Sequence, residues 1–205
     1  MSKYVRLDKE NCACLMVDHQ VGLFSLVQDF GPIDFRNSVM ATAACAKYFK
    51  LPTILTTSME EGPNGPLLPQ ILEMHPEAPK IARPGEINAF DNKDFADAVK
   101  KTGKKQLIIS GIVTDVCVAF CALSALELGY EVFVVTDASG TFNREAREAA
   151  WIRMEKAGVQ LLNWFAVACE LHRDWRNDIA GLGKLFATYI PSYADLITSN
   201  MYKSK

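Results

Sequence analysis

Cys117 lies in the segment Gly111-Ile112-Val113-Thr114-Asp115-Val116-Cys117, which joins the apolar run QLIISG to a long helical stretch. Thr114 is a natural N-cap, and counting from it places Cys117 at the third helical position. The unpaired N–H groups and the positive dipole end of a first turn favour thiolate over thiol, so this position predicts a lowered cysteine pKa. The same N–H groups can hold an oxyanion. Cys12, Cys14, Cys45 and Cys169 lack that setting and read as small core hydrophobes. Cys121, one turn after Cys117 on the same helix face, reads as packing unless it resolves an oxidised Cys117.

A nucleophilic thiol needs a base and, beside the base, a cation. Asp18 follows the apolar run Leu15-Met16-Val17, so it ends a strand and is partly desolvated, placed either as a turn former or as a general base for the thiol. His19 projects to the opposite face if Asp18 faces the cleft. His75 and His172 fall in helical surroundings, which leaves a Cys–Asp pair rather than a Cys–His dyad. Two negative groups so close repel, and Arg83, ahead of a Pro-Gly turn, is placed either to offset them or as an ordinary surface arginine.

The elements that must position these residues alternate along the whole chain. Candidate strands are residues 12–18, 53–58, 80–83, 106–111, 131–137 and 159–164, several of them continuously apolar as doubly covered parallel strands are. Candidate helices are residues 33–49, 66–74, 94–102, 115–128 and 144–157, with Gly103, Gly129 and Gly158 as helix stops. This predicts an α/β three-layer sandwich: a six-stranded, mostly parallel sheet of order 3-2-1-4-5-6 with helices on both faces. The switch point then falls between strands one and four, where Asp18 and the 111–117 segment end their strands. Residues 1–205 are expected to form one domain, with 165–205 a helical extension that packs either on its own domain or on a neighbouring subunit.

Composition narrows the class. Lys plus Arg is 22 against 24 Asp plus Glu, a net charge of −2. That balance gives no footprint for nucleic acid or an anionic membrane and favours a small uncharged or mixed-polarity ligand. The charged start MSKYVRLDKEN and the lack of a run of roughly 18 apolar residues argue against a signal peptide or membrane span. A chain of this length needs no disulfide staples, so the six cysteines read as free thiols in a cytoplasmic setting. Cys12-x-Cys14 and Cys117-x3-Cys121 lack zinc spacing. The dinucleotide fingerprint, the P-loop and the G-x-S-x-G elbow are all missing.

VDHQ at 17–20, ARPGEINAFDN at 82–92 and above all SGIVTDVCV at 110–118 resemble the isochorismatase-like cysteine hydrolases. LPTILTTS, GPNGPLLP, VVTDASGTFN and VACELHRDWRNDIAGL resemble the YcaC-like branch in particular. The resemblance implies a triad of Asp18 as base, Arg83 as basic residue and Cys117 as nucleophile. It also implies a non-proline cis peptide between Val113 and Thr114 that orients oxyanion donors, and a closed homo-oligomer, an octamer. The superfamily's amidases carry lysine where Arg83 stands, and arginine supplies charge without shuttling a proton. Nicotinamidases carry an Asp/His metal site after strand two, but SMEEGPNGP has no histidine, so neither metal nor cofactor is expected. The expectation is a hydrolase that cleaves a C–N bond of a small amide-like substrate through a Cys117 thioester. Gln20 and Asn88 are pocket candidates that could equally bond only to their own loops. The rival readings are a redox or stress-responsive oligomer using Cys117 and vinyl-ether hydrolysis driven by Asp18.

Overall fold

Strands form where the apolar runs are continuous, because each must bury both faces. In the computed structural model, which describes residues 4–203, β1 (Cys12–Val17) and β4 (Gln106–Gly111) are buried at every position. With β2 (Thr53–Ser58), β3 (Lys80–Arg83), β5 (Glu131–Val135) and β6 (Gln160–Leu162) they make one sheet in the order β3-β2-β1-β4-β5-β6. Every neighbouring pair is parallel, so all six carboxyl ends meet at one edge.

The pleat divides the core in two. Cys12, Cys14 and Met16 of β1, with Ile108 and Phe133, face one layer, formed by α1 (Pro32–Tyr48), α6 (Trp164–His172) and α7 (Ile179–Tyr189). Ala13, Leu15 and Val17, with Leu107 and Ile109, face the other, formed by α3 (Lys93–Lys101), α4 (Ala119–Glu127) and α5 (Arg144–Ala157). The short α2 (Pro69–Met74) adds Ile71 to the first layer, and α8 (Pro191–Lys203) follows α7. This is the expected three-layer α/β architecture and strand order. Gly103, Gly129 and Gly158 adopt positive φ at the helix stops, as predicted.

Differences from the expected boundaries are local. β1 stops at Val17 because Asp18 leaves the strand with φ 57°. The helix expected over 115–128 is instead a π-turn at Thr114–Val118 leading into α4. In the C-terminal stretch, Leu182, Leu185 and Phe186 of α7 join the core of the first layer, where Phe186 packs on Trp164 and Phe165 with ring centroids 5.8 and 4.5 Å apart. Tyr193 of α8 closes on Phe186, while Leu196 and Tyr202 remain exposed. Among the described residues no helix is long and apolar enough to cross a membrane.

Gly111 couples the fold to the switch point. A Cβ built there would stand 2.3 Å from the Val17 carbonyl oxygen, so β1 and β4 approach too closely at their ends for any side chain. Gly111→Ala is therefore expected to destabilise the protein by about 1–3 kcal/mol through overpacking. A lower thermal midpoint at matched protein concentration is the readout, with Gly103→Ala, where nothing stands within 4 Å, as the control for strain at positive φ.

Candidate active site

The ends of β1, β3 and β4 bring Asp18, Arg83 and Cys117 together. β1 lies between β2 and β4, with Val17 in register with Gly111, so Asp18 and the turn before Cys117 leave adjacent strands at one level. The Asp18 N–H donates to the Thr56 carbonyl at 2.9 Å, and its own carbonyl accepts from the Gln20 N–H at 2.7 Å. Arg83 ends β3 opposite Ser58 and pairs with Asp18 through a short Nη2 contact to Oδ1; both side chains are completely buried.

Arg83 is held from every side. Its Nε donates to Thr56 Oγ1 at 3.0 Å, and Nη1 donates to the Ile87 carbonyl at 3.3 Å and to the Glu86 carbonyl in a short contact. The Thr56 hydroxyl passes its own proton to the Ile81 carbonyl at 2.8 Å, leaving its lone pairs for Arg83. A buried ion pair is tolerable only with its remaining hydrogen-bonding capacity met, and losing one partner of such a pair costs about 3–5 kcal/mol. These supporting groups escape sequence reading, because backbone carbonyls leave no side-chain signal and Thr56 is one of four hydroxyl residues in the run TILTTS.

Burial sets the protonation of the pair. It pushes the Asp18 carboxyl above its ordinary 3.8, against the Arg83 charge and hydrogen bond and, more weakly, a hydrogen bond from the Cys117 thiol. The second carboxylate oxygen, Oδ2, is buried without a hydrogen-bond partner. Cys117 is pushed up to about 12, first by burial and then by the Asp18 charge, while the Val113 N–H and Arg83 pull the other way. The lowered thiol pKa expected from a helix N-terminus is thus corrected: desolvation and the neighbouring carboxylate outweigh the dipole. Cys117 rests as a thiol beside a carboxylate that can take its proton.

The turn itself also differs. Val113, not Thr114, is the N-cap, and it makes no side-chain cap bond, so Cys117 is the fourth residue of the π-turn rather than the third. The cis peptide is Ile112–Val113, one bond before the expected Val113–Thr114. The Val113 carbonyl accepts from the Val116 and Val118 N–H groups at 3.4 and 3.1 Å, which makes Val113–Thr114 the first unit of the helical turn. The Thr114 N–H donates to the Gly140 carbonyl at 3.0 Å and is spent there, whereas the Val113 N–H is directed at the Cys117 sulfur. Asp115 accepts from Thr141 Oγ1 at 2.6 Å, tying the turn to the loop after β5.

Gln20 is fully buried, with its amide donating to the Ser58 and Gly65 carbonyls and accepting from the Ser58 N–H, so its polar groups serve the loops. Asn88 caps the turn at Ala89–Asp91 and donates to Ser124 Oγ at 2.9 Å. His19 bonds the Ala138 carbonyl at 3.1 Å, and burial lowers its pKa to about 4, so it stays neutral and outside the triad. All six cysteines are free; Cys12, Cys14, Cys45 and Cys121 are buried, while Cys117 and Cys169 are half-buried. After β2, Glu60 is paired with Lys80 at 2.7 Å, and among the described residues no group of three or more His, Cys, Asp or Glu stands ready to hold a metal.

This geometry has known counterparts. The Escherichia coli protein described as probable hydrolase YcaC is 65% identical over 196 residues, covering 96% of this chain and 94% of its own. The crystal structure of that YcaC, described as an octameric hydrolase of unknown specificity, superposes with a TM-score of 0.97 over 98% of this chain and 99% of its own. YcaC from Pseudomonas aeruginosa, crystallised with hexane-2,5-diol and covalent acrylamide, is 66% identical with a TM-score of 0.95 over 96% of this chain and 98% of its own. The isochorismatase domain matches residues 12–165, from the first residue of β1 to the start of α6. The chain belongs to the isochorismatase family, in its YcaC-like branch.

Proposed function

We propose that this protein is a cysteine hydrolase that cleaves the C–N bond of a small amide-like substrate. The observation that carries the reading is the Cys117 thiol set beside a buried carboxylate, Asp18, that Arg83 holds in place. Burial raises both acids, and at Asp18 the Arg83 charge counters it, so the carboxylate is the group of the two that ionises first.

Asp18 takes the thiol proton as the sulfur attacks the carbonyl carbon, so no free thiolate has to exist beforehand. The Val113 N–H, already directed at the sulfur, and the Cys117 N–H in the open first turn receive the oxyanion. Collapse of the tetrahedral adduct expels the amine, which takes the proton from Asp18 and leaves a Cys117 thioester. Asp18 then removes a proton from water, and the hydroxide adds to the thioester. Loss of sulfur releases the carboxylic acid, and the proton on Asp18 returns to Cys117. Arg83 transfers no proton; it keeps Asp18 oriented and offsets its charge.

Two relatives support the reading: YcaC of Escherichia coli as a probable hydrolase, and YcaC of Pseudomonas aeruginosa, whose covalent acrylamide is a small electrophile of the kind a reactive thiol captures. The octamer described for the Escherichia coli protein supports a homo-octameric assembly here. The free thiols fit a cytoplasmic setting. Cys121 is too deeply buried, and its thiol pushed too far up, to favour a resolving role in redox chemistry.

Across a panel of primary amides, ureides and N-carbamoyl compounds, Cys117→Ala is expected to lower turnover by more than about 10³-fold. The wild type is expected to yield a Cys117-linked acyl adduct by mass spectrometry. Retained amide turnover in the alanine variant would overturn the Cys117 thioester route, whereas turnover of a vinyl ether that survives Cys117→Ala would support the Asp18-driven alternative. Because Asp18 must be ionised to act and its pKa is raised, kcat/KM should climb with pH through a limb lying above 3.8. Asp18→Asn should abolish that limb and cost about 10²–10⁴-fold, read from the pH profile of the surviving activity.

A further inference from the structure

Arg83 is the cation that a substrate carboxylate would meet at this site, and the structure leaves it little to offer. Its Nε, Nη1 and Nη2 all donate internally, to Thr56, to the Glu86 and Ile87 carbonyls and to Asp18, and its side chain has no exposed surface. The charges of Asp18 and Arg83 cancel, so a further anion brought to Cys117 would stand beside a carboxylate whose counter-ion is already committed.

The surroundings add to this. The segments that follow β1 to β5 at the carboxyl edge, residues 18–31, 59–68, 84–92, 112–118 and 136–143, contain no lysine or arginine. Each contains at least one carboxylate; Glu60 and Asp29 are paired with Lys80 at 2.7 Å and Arg147 at 3.6 Å, while Glu61, Glu86, Asp115 and Asp137 form no ion pair with a described residue. The one histidine there, His19, is buried and neutral. Arg147, which reaches the edge from α5, gives Nη1 to the Asp29 carbonyl at 2.9 Å and lies over the Phe30 and Trp151 rings at 4.9 Å each. Clefts lined by one sign of charge concentrate ligands of opposite or zero charge and repel their own sign.

We infer that the site selects uncharged substrates and rejects carboxylate-bearing ones, because its single strand-end cation is consumed by Asp18 and the loop segments around it supply no lysine or arginine to replace it. Within the amide-hydrolase reading on which this rests, simple amides and ureides fit, whereas N-carbamoyl amino acids and other anionic amides do not.

Iodoacetamide and iodoacetate form a suitable pair of probes: nearly the same size, each transferring its CH₂ group to sulfur with loss of iodide, and differing in charge. The full-length protein is treated with each, and rates at Cys117 and Cys169 are read by peptide mass spectrometry and divided by the rates for glutathione. The iodoacetate-to-iodoacetamide ratio at Cys117 is expected to fall at least about 10-fold below that of glutathione, and to recover several-fold in Asp18→Asn. A Cys117 ratio equal to that of glutathione overturns the charge selection and leaves the hydrolase reading intact. A Cys117 that reacts no faster than Cys169 with either reagent overturns the activated-thiol reading and this inference with it. The wild-type ratio decides the matter even if the Asp18 variant fails to fold.

Discussion

A carboxylate with no exposed surface must have its charge answered from within the fold. Asp18 stands at the end of the central strand with none of its surface in water, and Arg83 answers it from two strands away. That single requirement explains much of the arrangement around it. β3 ends where its arginine can pass beneath β2, Thr56 offers its hydroxyl oxygen in transit, and the turn after β3 folds back so that two carbonyls meet the remaining donors. Parallel strands place all of these ends at one edge, so the device that satisfies Asp18 also leaves it facing the turn that carries Cys117.

The chemistry follows from the same burial. A desolvated site penalises every charged form, and the penalty falls on Cys117 as well as on Asp18. A thiol in such a place is a poor spontaneous nucleophile, but it needs to lose its proton only over the distance of one hydrogen bond, to a base whose pKa has been moved toward neutrality. On the proposed mechanism, charge neutrality of the resting site has two consequences: proton transfer accompanies attack, and an additional anion finds no partner.

Much of this was legible in the sequence, and what was not has identifiable causes. Strand order, the three layers and the meeting of Asp18, Arg83 and Cys117 follow from hydrophobic periodicity and from the rule that ligands bind beyond the carboxyl ends at a switch point. Strands β2, β3 and β4 match their expected bounds because polar or Gly/Pro residues delimit them. The turn at Thr114–Val118 was misread, since the pattern that marks an amphipathic helix is the same whether its first turn is α or π. That shifts the cap and the position of Cys117 within the turn by one residue each, and the cis bond implied by the resemblance also lies one bond earlier. The direction of the cysteine pKa was also reversed, because a dipole can be inferred from a helix start, whereas desolvation depends on everything packed above it. Gln20 was recognisable as polar and close to Asp18, but its bonds to Ser58 and Gly65 depend on how the loop after β2 folds back.

On the proposed mechanism Cys117 holds its proton in the folded protein at neutral pH until a substrate is attacked. This protonation state is tested most directly by the ultraviolet thiolate absorbance of wild type minus Cys117→Ala, followed as a function of pH. No Cys117 thiolate signal is expected near neutrality, and its appearance only under strongly alkaline conditions, in line with a thiol pushed up to about 12. A full thiolate signal at neutral pH, lost in the alanine variant, would contradict that protonation state and would mean that the helix terminus, rather than the buried carboxylate, governs the cysteine.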